Sequence, residues 1–263
     1  MSTATPVPFS SPLPSSLSGT TTIVVGGTSG VGLAVGELLR SVGGRVVLIG
    51  RDPERLNAAV ARLRSAAPSD DPDAVMGVAG DGADEKVLVE AFDRVKNVDH
   101  VVVTAGDTSG MGLLANVSTD ELRSAFEARV PAAFTAARVA ATRLPAGGSL
   151  TFSSGTVLVK PYPGAAAGLA AAGAVEALTK AVGVELAPAR IRVNCVRFGR
   201  TDTPLLRSTP GLDSDEAVAA AGASWPLGRF GTAEEGAAGV LFVMANNYMT
   251  GQIVTIDGGE TMA

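Results

Sequence analysis

The stretch Thr22-Ile23-Val24-Val25-Gly26-Gly27-Thr28-Ser29-Gly30-Val31-Gly32 decides how the rest of the chain is read. A short β-branched run bounded by glycines predicts a buried strand, and Gly32 to Val42 continues as a helix. The turn between them holds glycines at 26, 30 and 32. Gly26 permits a tight turn, Gly30 lets the backbone approach a pyrophosphate, and Gly32 lets the helix pack on the strand. Thr28, Ser29 and Val31 complete the loop, and the helix start offers free N–H groups and a positive dipole end to phosphate. The plain alternative is a structural turn with no ligand.

Outward from this turn, strands and helices alternate. Strands are expected at Thr22–Val25, Arg45–Ile49, Ala74–Val78, His100–Thr104, Ser149–Ser153, Ile191–Val196 and Ile253–Ile256. Helices are expected at Pro53–Ala66, Glu85–Val95, Thr119–Arg143 with Pro131 inside it, Ala165–Leu186 and Ala233–Ala245, with a less regular excursion over Thr201–Leu227. Strands that are apolar throughout, not alternating, are buried on both faces. Alternation with helices then gives right-handed βαβ units and a parallel sheet. The expectation is one α/β domain over residues 17–263, a doubly wound, seven-stranded parallel sheet flanked by helices. It is preceded by a mobile Ser/Thr/Pro-rich tail at Met1–Ser16.

Composition narrows the function. With 46% hydrophobic and 18% charged residues the chain is foldable, and with 4% aromatics its core is built from small side chains. A net charge of −5 with no basic stripe argues against nucleic acid. The most apolar stretch, Pro163–Ala174, is too short and glycine-rich to span a bilayer. One cysteine, Cys195, excludes an internal disulfide and a cysteine-built metal site, and points to a reducing cytoplasm. One histidine, His100, excludes mechanisms that need two. No metal site is expected.

The second strand ends at Gly50-Arg51. A protein that prefers NAD(H) places a carboxylate there for the ribose 2′-hydroxyl. Here Arg51 offers a planar fork to a 2′-phosphate, which favours NADP(H) over NAD(H). The alternative is an exposed arginine paired with Asp52 or Glu54.

These residues resemble the short-chain dehydrogenase/reductase family over about Leu17 to Gly259. The resemblance is carried by Gly26–Gly32, Asp81, Thr104-Ala105-Gly106, Val175–Thr179, Ile191–Asn194, Thr201–Pro204, Pro226–Gly231, Thr250–Gln252 and Asp257–Gly259. It implies a single-domain Rossmann fold, a small-molecule substrate, and a homodimer or homotetramer assembled through the Ala-rich helix and the last strand. It also implies cofactor roles. Asp81, followed by Gly82, accepts from the adenine amino group. Ala105 and Gly106 lie against the adenosine ribose, and Thr201 and Thr203 hold the carboxamide and the pyrophosphate.

The resemblance breaks at the catalytic positions. The family uses a Tyr and a Lys four residues apart, the Tyr giving a proton to the substrate carbonyl. Anchoring on Val175–Leu178 puts Gly168 and Ala172 there. Arg129 stands at the helix-four Asn position, and Phe198 replaces a proline before Gly199. Ser154, in preference to Ser153, matches the family's serine. Three readings stay open. One is an NADP(H)-dependent oxidoreductase with a rebuilt site, using Ser154 for the substrate oxygen, Tyr162 or a water for the proton, and Arg129 as a fixed cation. Another is a nucleotide-binding pseudoenzyme or partner of an active subunit. The last is a non-redox cyclase, dehydratase or isomerase. For Arg129 the plain alternative is a surface ion pair with Glu127 or Asp120.

Overall fold

The computed structural model describes residues 7–67 and 69–263. In chain order the elements are β1 Thr21–Val25, α1 Gly30–Ser41, β2 Arg45–Gly50, α2 Pro53–Ala66, β3 Val75–Ala79, α3 Glu85–Asp93 and β4 His100–Val103. Then come α4 Thr119–Glu127, α5 Val130–Arg143, β5 Ser149–Gly155, α6 Ala166–Leu186 and β6 Arg192–Phe198. The remainder is β7 Thr201–Asp202, α7 Pro204–Arg207, α8 Asp215–Gly222, β8 Gly231–Thr232, α9 Ala233–Ala245 and β9 Ile253–Ile256.

Seven strands form one parallel sheet in the order β3-β2-β1-β4-β5-β6-β9. Strand order reverses between β1 and β4, so a crevice opens at their carboxyl ends, where ligands of such sheets bind. One apolar core joins Ile23, Val25, Val101, Leu150, Phe152 and Val193 to α3, α5 and α6. The other joins Val24, Val46, Leu48, Val102 and Val196 to α1, α2 and α9. Strand residues thus alternate between two apolar layers, which is why the strands read as unbroken hydrophobic runs.

The structure corrects two expectations and bears on two more. The helix over Thr119–Arg143 is two helices. Pro131 falls in the first turn of α5 and has no N–H for a continuous ladder, so α4 closes at Ala128 and Arg129 takes a non-helical φ of −134°. The excursion after β6 is organised: β7 pairs with β8, and Leu212, Val218 and Phe230 form a small core with Trp225 over it. The tail expectation lies in part outside the described residues. Of the remainder, Asn247 Nδ2 donates to Ser10 Oγ at 2.7 Å, and Pro14–Leu17 forms a 3₁₀ turn that buries Leu17. The apolar stretch near Pro163–Ala174 also belongs to a longer helix. Residues Ala166–Ala189 are the one helical run among the described residues long and apolar enough to cross a membrane. Its Ala171, Val175, Thr179, Gly183 and Leu186 are buried, with Val175 and Leu186 in the sheet core.

Candidate active site

The glycine turn forms a cradle at the crevice. Gly26 has φ +85°, and a Cβ on it would stand 2.9 Å from Ala105 N; one on Gly32 would stand 2.3 Å from Gly26 O. The β1 and β4 ends therefore meet only because no side chains intervene. Ser29 caps α1 with extended backbone and makes no side-chain cap bond. Leu33 N–H is the first in α1 to bond back, to Ser29 O, which leaves the amides of Gly30, Val31 and Gly32 at the mouth of the helix. Thr203 roofs this mouth: its Cβ and Cγ2 lie 3.4 Å from a Cβ built on Gly30. Thr203 Oγ1 donates to Thr201 O, and Thr201 Oγ1 donates to Gly199 O, so the loop after β6 is braced over the cradle.

Beside the cradle, the Thr28 methyl would stand 2.4 Å from a Cβ on Gly50. Arg51 is exposed, and among the described residues it makes no ion pair. Asp52 is occupied otherwise, accepting from Glu54 N–H at 2.9 Å and Arg55 N–H at 3.1 Å as the cap of α2. The pairing of Arg51 with Asp52 or Glu54 is therefore not the arrangement found. Asp81 Oδ1 accepts from Ala83 N–H, and Gly82 packs on Val25.

Ser154, near the end of β5, donates from Oγ to Glu176 Oε1 at 2.5 Å. Glu176, on α6, is gripped by Arg197 of β6, with Nε 2.8 Å from Oε1 and Nη2 2.6 Å from Oε2. That fork, with the carboxylate's attraction, raises the Arg197 pKa. Cys195 lies against the same group, and burial pushes its thiol up to about 12.

Arg129 sits at the α4–α5 joint that Pro131 creates. Its Nη2 donates to Asp107 O at 2.5 Å, and its Nη1 is 2.3 Å from where a Cβ on Gly106 would be. Burial lowers its pKa, with nearby Asp107 opposing. It makes no ion pair among the described residues, and Asp120 is taken by Arg123, so the surface pair is not found. Ala105, Phe152, Ser153 and Val175 share a hollow of about 10 Å³ with it, scarcely room for one water.

Tyr162 is not brought to Ser154 by any bond. Its ring takes the Arg200 guanidinium at 5.6 Å, and Arg200 also lies over Trp225 at 5.4 Å. Lys160, in the same loop, donates to the carbonyls of Glu260 and Ala263. Gly168 is buried, and the nearest atom to a Cβ built there is Met111 Sδ at 3.2 Å. Ala172 is buried on the same helix.

The comparisons bear on this geometry. The family model described as enoyl-(acyl carrier protein) reductase matches residues 25–261. The chain belongs to the short-chain dehydrogenase/reductase family. It is 32% identical over 255 residues to the short-chain dehydrogenase/reductase ATR9 of Stachybotrys chlorohalonatus, covering 92% of this chain and 96% of that protein. It is 31% identical to carbonyl reductase family member 4 of Danio rerio, covering 90% and 96%. Among solved structures, the MalC reductase/Diels-Alderase of Malbranchea aurantiaca superimposes with TM-score 0.83 at 28% identity, covering 94% of this chain and 98% of that one.

Short-chain dehydrogenase/reductase proteins bind nicotinamide cofactors and act on small molecules, and the relatives here are oxidoreductases. The cradle fits such a dinucleotide: glycines at 26 and 32 let the β1, β4 and α1 backbones close up, and the amides of Gly30, Val31 and Gly32 are left without a backbone partner at the helix start. Sequence reasoning missed Glu176 and Arg197 as site residues. The available signal was a carboxylate inside the otherwise apolar run of α6 and an arginine at the end of a buried strand. Each is costly alone, so each implies a partner.

Proposed function

We propose that the protein is an NADP(H)-dependent oxidoreductase acting on a carbonyl/alcohol pair, with a catalytic centre rebuilt around the absence of a tyrosine at Gly168 and a lysine at Ala172. One observation carries this reading: an open amide cradle at α1 with exposed Arg51, which makes no ion pair among the described residues, beside it. The amides of Gly30, Val31 and Gly32, with Thr203, would hold the pyrophosphate, and Arg51 the 2′-phosphate. Asp81 and Gly82 would meet the adenine, Ala105 and Gly106 the ribose, and Thr201 the carboxamide. When bound, the nicotinamide supplies or accepts the hydride. Ser154 would meet the substrate oxygen, Arg129 would add a fixed cation near Gly106, and Tyr162 or a water would move the proton. Arg129 supports its role by being part-buried with no ion pair among the described residues, only Asp107 lying near enough to act on its charge. The Arg200 cation over Tyr162 orients that ring in the loop after β5. We extend the reading to a cytoplasmic homodimer or homotetramer. Val184, 78% exposed on α6, supports an apolar outer face on that helix.

A non-redox reaction is the second reading. The Malbranchea aurantiaca protein MalC is a reductase/Diels-Alderase and is 28% identical to this chain.

The deciding experiment titrates NADPH and NADH into the purified protein and then offers a panel of carbonyls and alcohols. Tighter NADPH binding is expected, weakened roughly 10- to 100-fold by Arg51→Ala with NADH unaffected, as for loss of a charge-assisted contact of about 1.5–3 kcal/mol. Equal affinity for the two would overturn the cofactor assignment. Tight binding with no change at the nicotinamide absorbance on any substrate would overturn the redox assignment.

A further inference from the structure

Ser154 has one hydroxyl proton, and it is committed to Glu176 Oε1. Ser154, near the carboxyl end of β5, therefore has only lone pairs left to offer, and the Cys195 thiol also lies within reach of it. Ser154 can accept from an alcohol O–H, but as it stands it has no proton for a carbonyl oxygen. The carboxylate behind it is fixed from three sides. Arg197 binds both of its oxygens, and Arg197 Nη1 is itself held 3.2 Å from Thr255 Oγ1 of β9. Glu176 and Arg197 side chains are only 13% and 18% exposed, unlike the surface pairs elsewhere on the molecule. Two ionisable groups of β6, Arg197 and the Cys195 thiol, face Glu176.

We propose that Ser154 and Glu176 form a proton relay that takes the place of the absent tyrosine and lysine and adapts the site to alcohol oxidation. This deepens the redox reading above and rests on it. In the step, the alcohol O–H bond breaks and its proton passes to Ser154 Oγ, while the Ser154 proton passes to Glu176 Oε1. The carbinol C–H bond breaks with its electron pair going as hydride to oxidised NADP, and the C=O bond forms. The alcohol is oxidised, the nicotinamide is reduced, and Glu176 ends as the acid. Glu176 works through Ser154, as a positioning residue that also stores the proton.

The test uses the full chain loaded with NADP and a panel of secondary alcohols, read by single-turnover hydride transfer in H₂O and D₂O. Glu176→Gln keeps the size and an acceptor oxygen but cannot store a proton. It is expected to transfer hydride about 100-fold more slowly, with KM little changed and the solvent isotope effect lost. A rate within a few-fold of the parent with the isotope effect intact would overturn the relay. Because Glu176→Gln leaves Arg197 without its anion, the double variant Glu176→Gln/Arg197→Met is measured too. It must stay slow, and recovery would show that the carboxylate is merely structural. A second readout needs no turnover: trifluoroethanol added to the loaded protein should shift the Glu176 carboxylate infrared band in the parent but not in Ser154→Ala. No shift in the parent would overturn the relay. If no alcohol in the panel reacts with the parent, the redox reading falls, and the infrared band alone judges the relay.

Discussion

Met111 Sδ stands 3.2 Å from the point where a side chain at Gly168 would begin. The loop after β4 thus leans on the first turns of α6, where Ala167 and Ala171 pack against Ala125 of α4. Small residues allow this close approach, and Met111 fills from the side the space a larger residue at 168 would take. A glycine inside a helix costs about 0.5–1 kcal/mol relative to alanine. The Met111 side chain is 41% exposed and flexible, so it can yield to one added methyl. Gly168→Ala is therefore expected to stabilise the protein by up to about 1 kcal/mol in urea unfolding. Gly168→Tyr is expected to destabilise it by about 1–3 kcal/mol through overpacking, with Met111→Ala relieving the loss. Equal stability of Gly168→Tyr and the parent would show that Met111 is no obstacle.

The layered sheet was legible because burial on both faces leaves unbroken β-branched runs: β1 and β4 stand where Val25 and Val103 end such runs. The cradle was legible because its function is carried by local backbone, and consecutive residues report it. The joint at Arg129 was only half legible. Pro131 was in view, but whether a proline bends a helix or starts a new one depends on how the chain packs. The Glu176–Arg197 pair was not legible as a pair. Its members lie on different elements, 21 residues apart, and only β6 packing beside α6 brings them together.

Arg129 Nη1 lies 2.3 Å from a Cβ built on Gly106, so alanine at 106 must push the guanidinium off Asp107 O. Displacing a part-buried cation from its one hydrogen bond among the described residues is costly. Gly106→Ala is expected to destabilise the fold by about 2 kcal/mol, and far less in an Arg129→Met background. The two changes share one contact, so a double-mutant cycle of unfolding free energies should return a coupling of about 1–3 kcal/mol. Additive effects would place the guanidinium elsewhere in solution.

Cys195 is the chain's single thiol, fully enclosed in β6, and burial pushes it up to about 12. Thiolate is the reactive form, so a thiol raised and enclosed in this way is inert while the protein is folded. Iodoacetamide at pH 8 is expected to leave the native protein unmodified over hours and to label one site per chain in urea. The labelling rate at low denaturant should follow global unfolding. Rapid labelling of native protein would mean that β6 opens locally, and with it the Arg197 anchor of Glu176.

His100 opens β4 at the amino ends of the sheet's strands, away from the cradle, beside a cavity of about 220 Å³ that Asp99, Gly148 and Asn247 also line. Its Nδ1 meets Ser149 Oγ at 2.8 Å, and burial, with Arg192 adding repulsion, pushes its pKa down to about 3. A histidine of the unfolded chain titrates near 6.5, so between these values the unfolded state binds a proton that the folded state refuses. Stability from this group is complete above pH 6.5 and declines as pH falls toward 3, by about 1.4 kcal/mol per unit once well below 6.5. His100 is the chain's one histidine, so the window from pH 6.5 to about 5, above the ordinary carboxylate range, isolates it. Urea unfolding should show stability falling across that window in the parent and a flatter profile in His100→Asn. Equal slopes would mean that His100 takes up its proton within the fold.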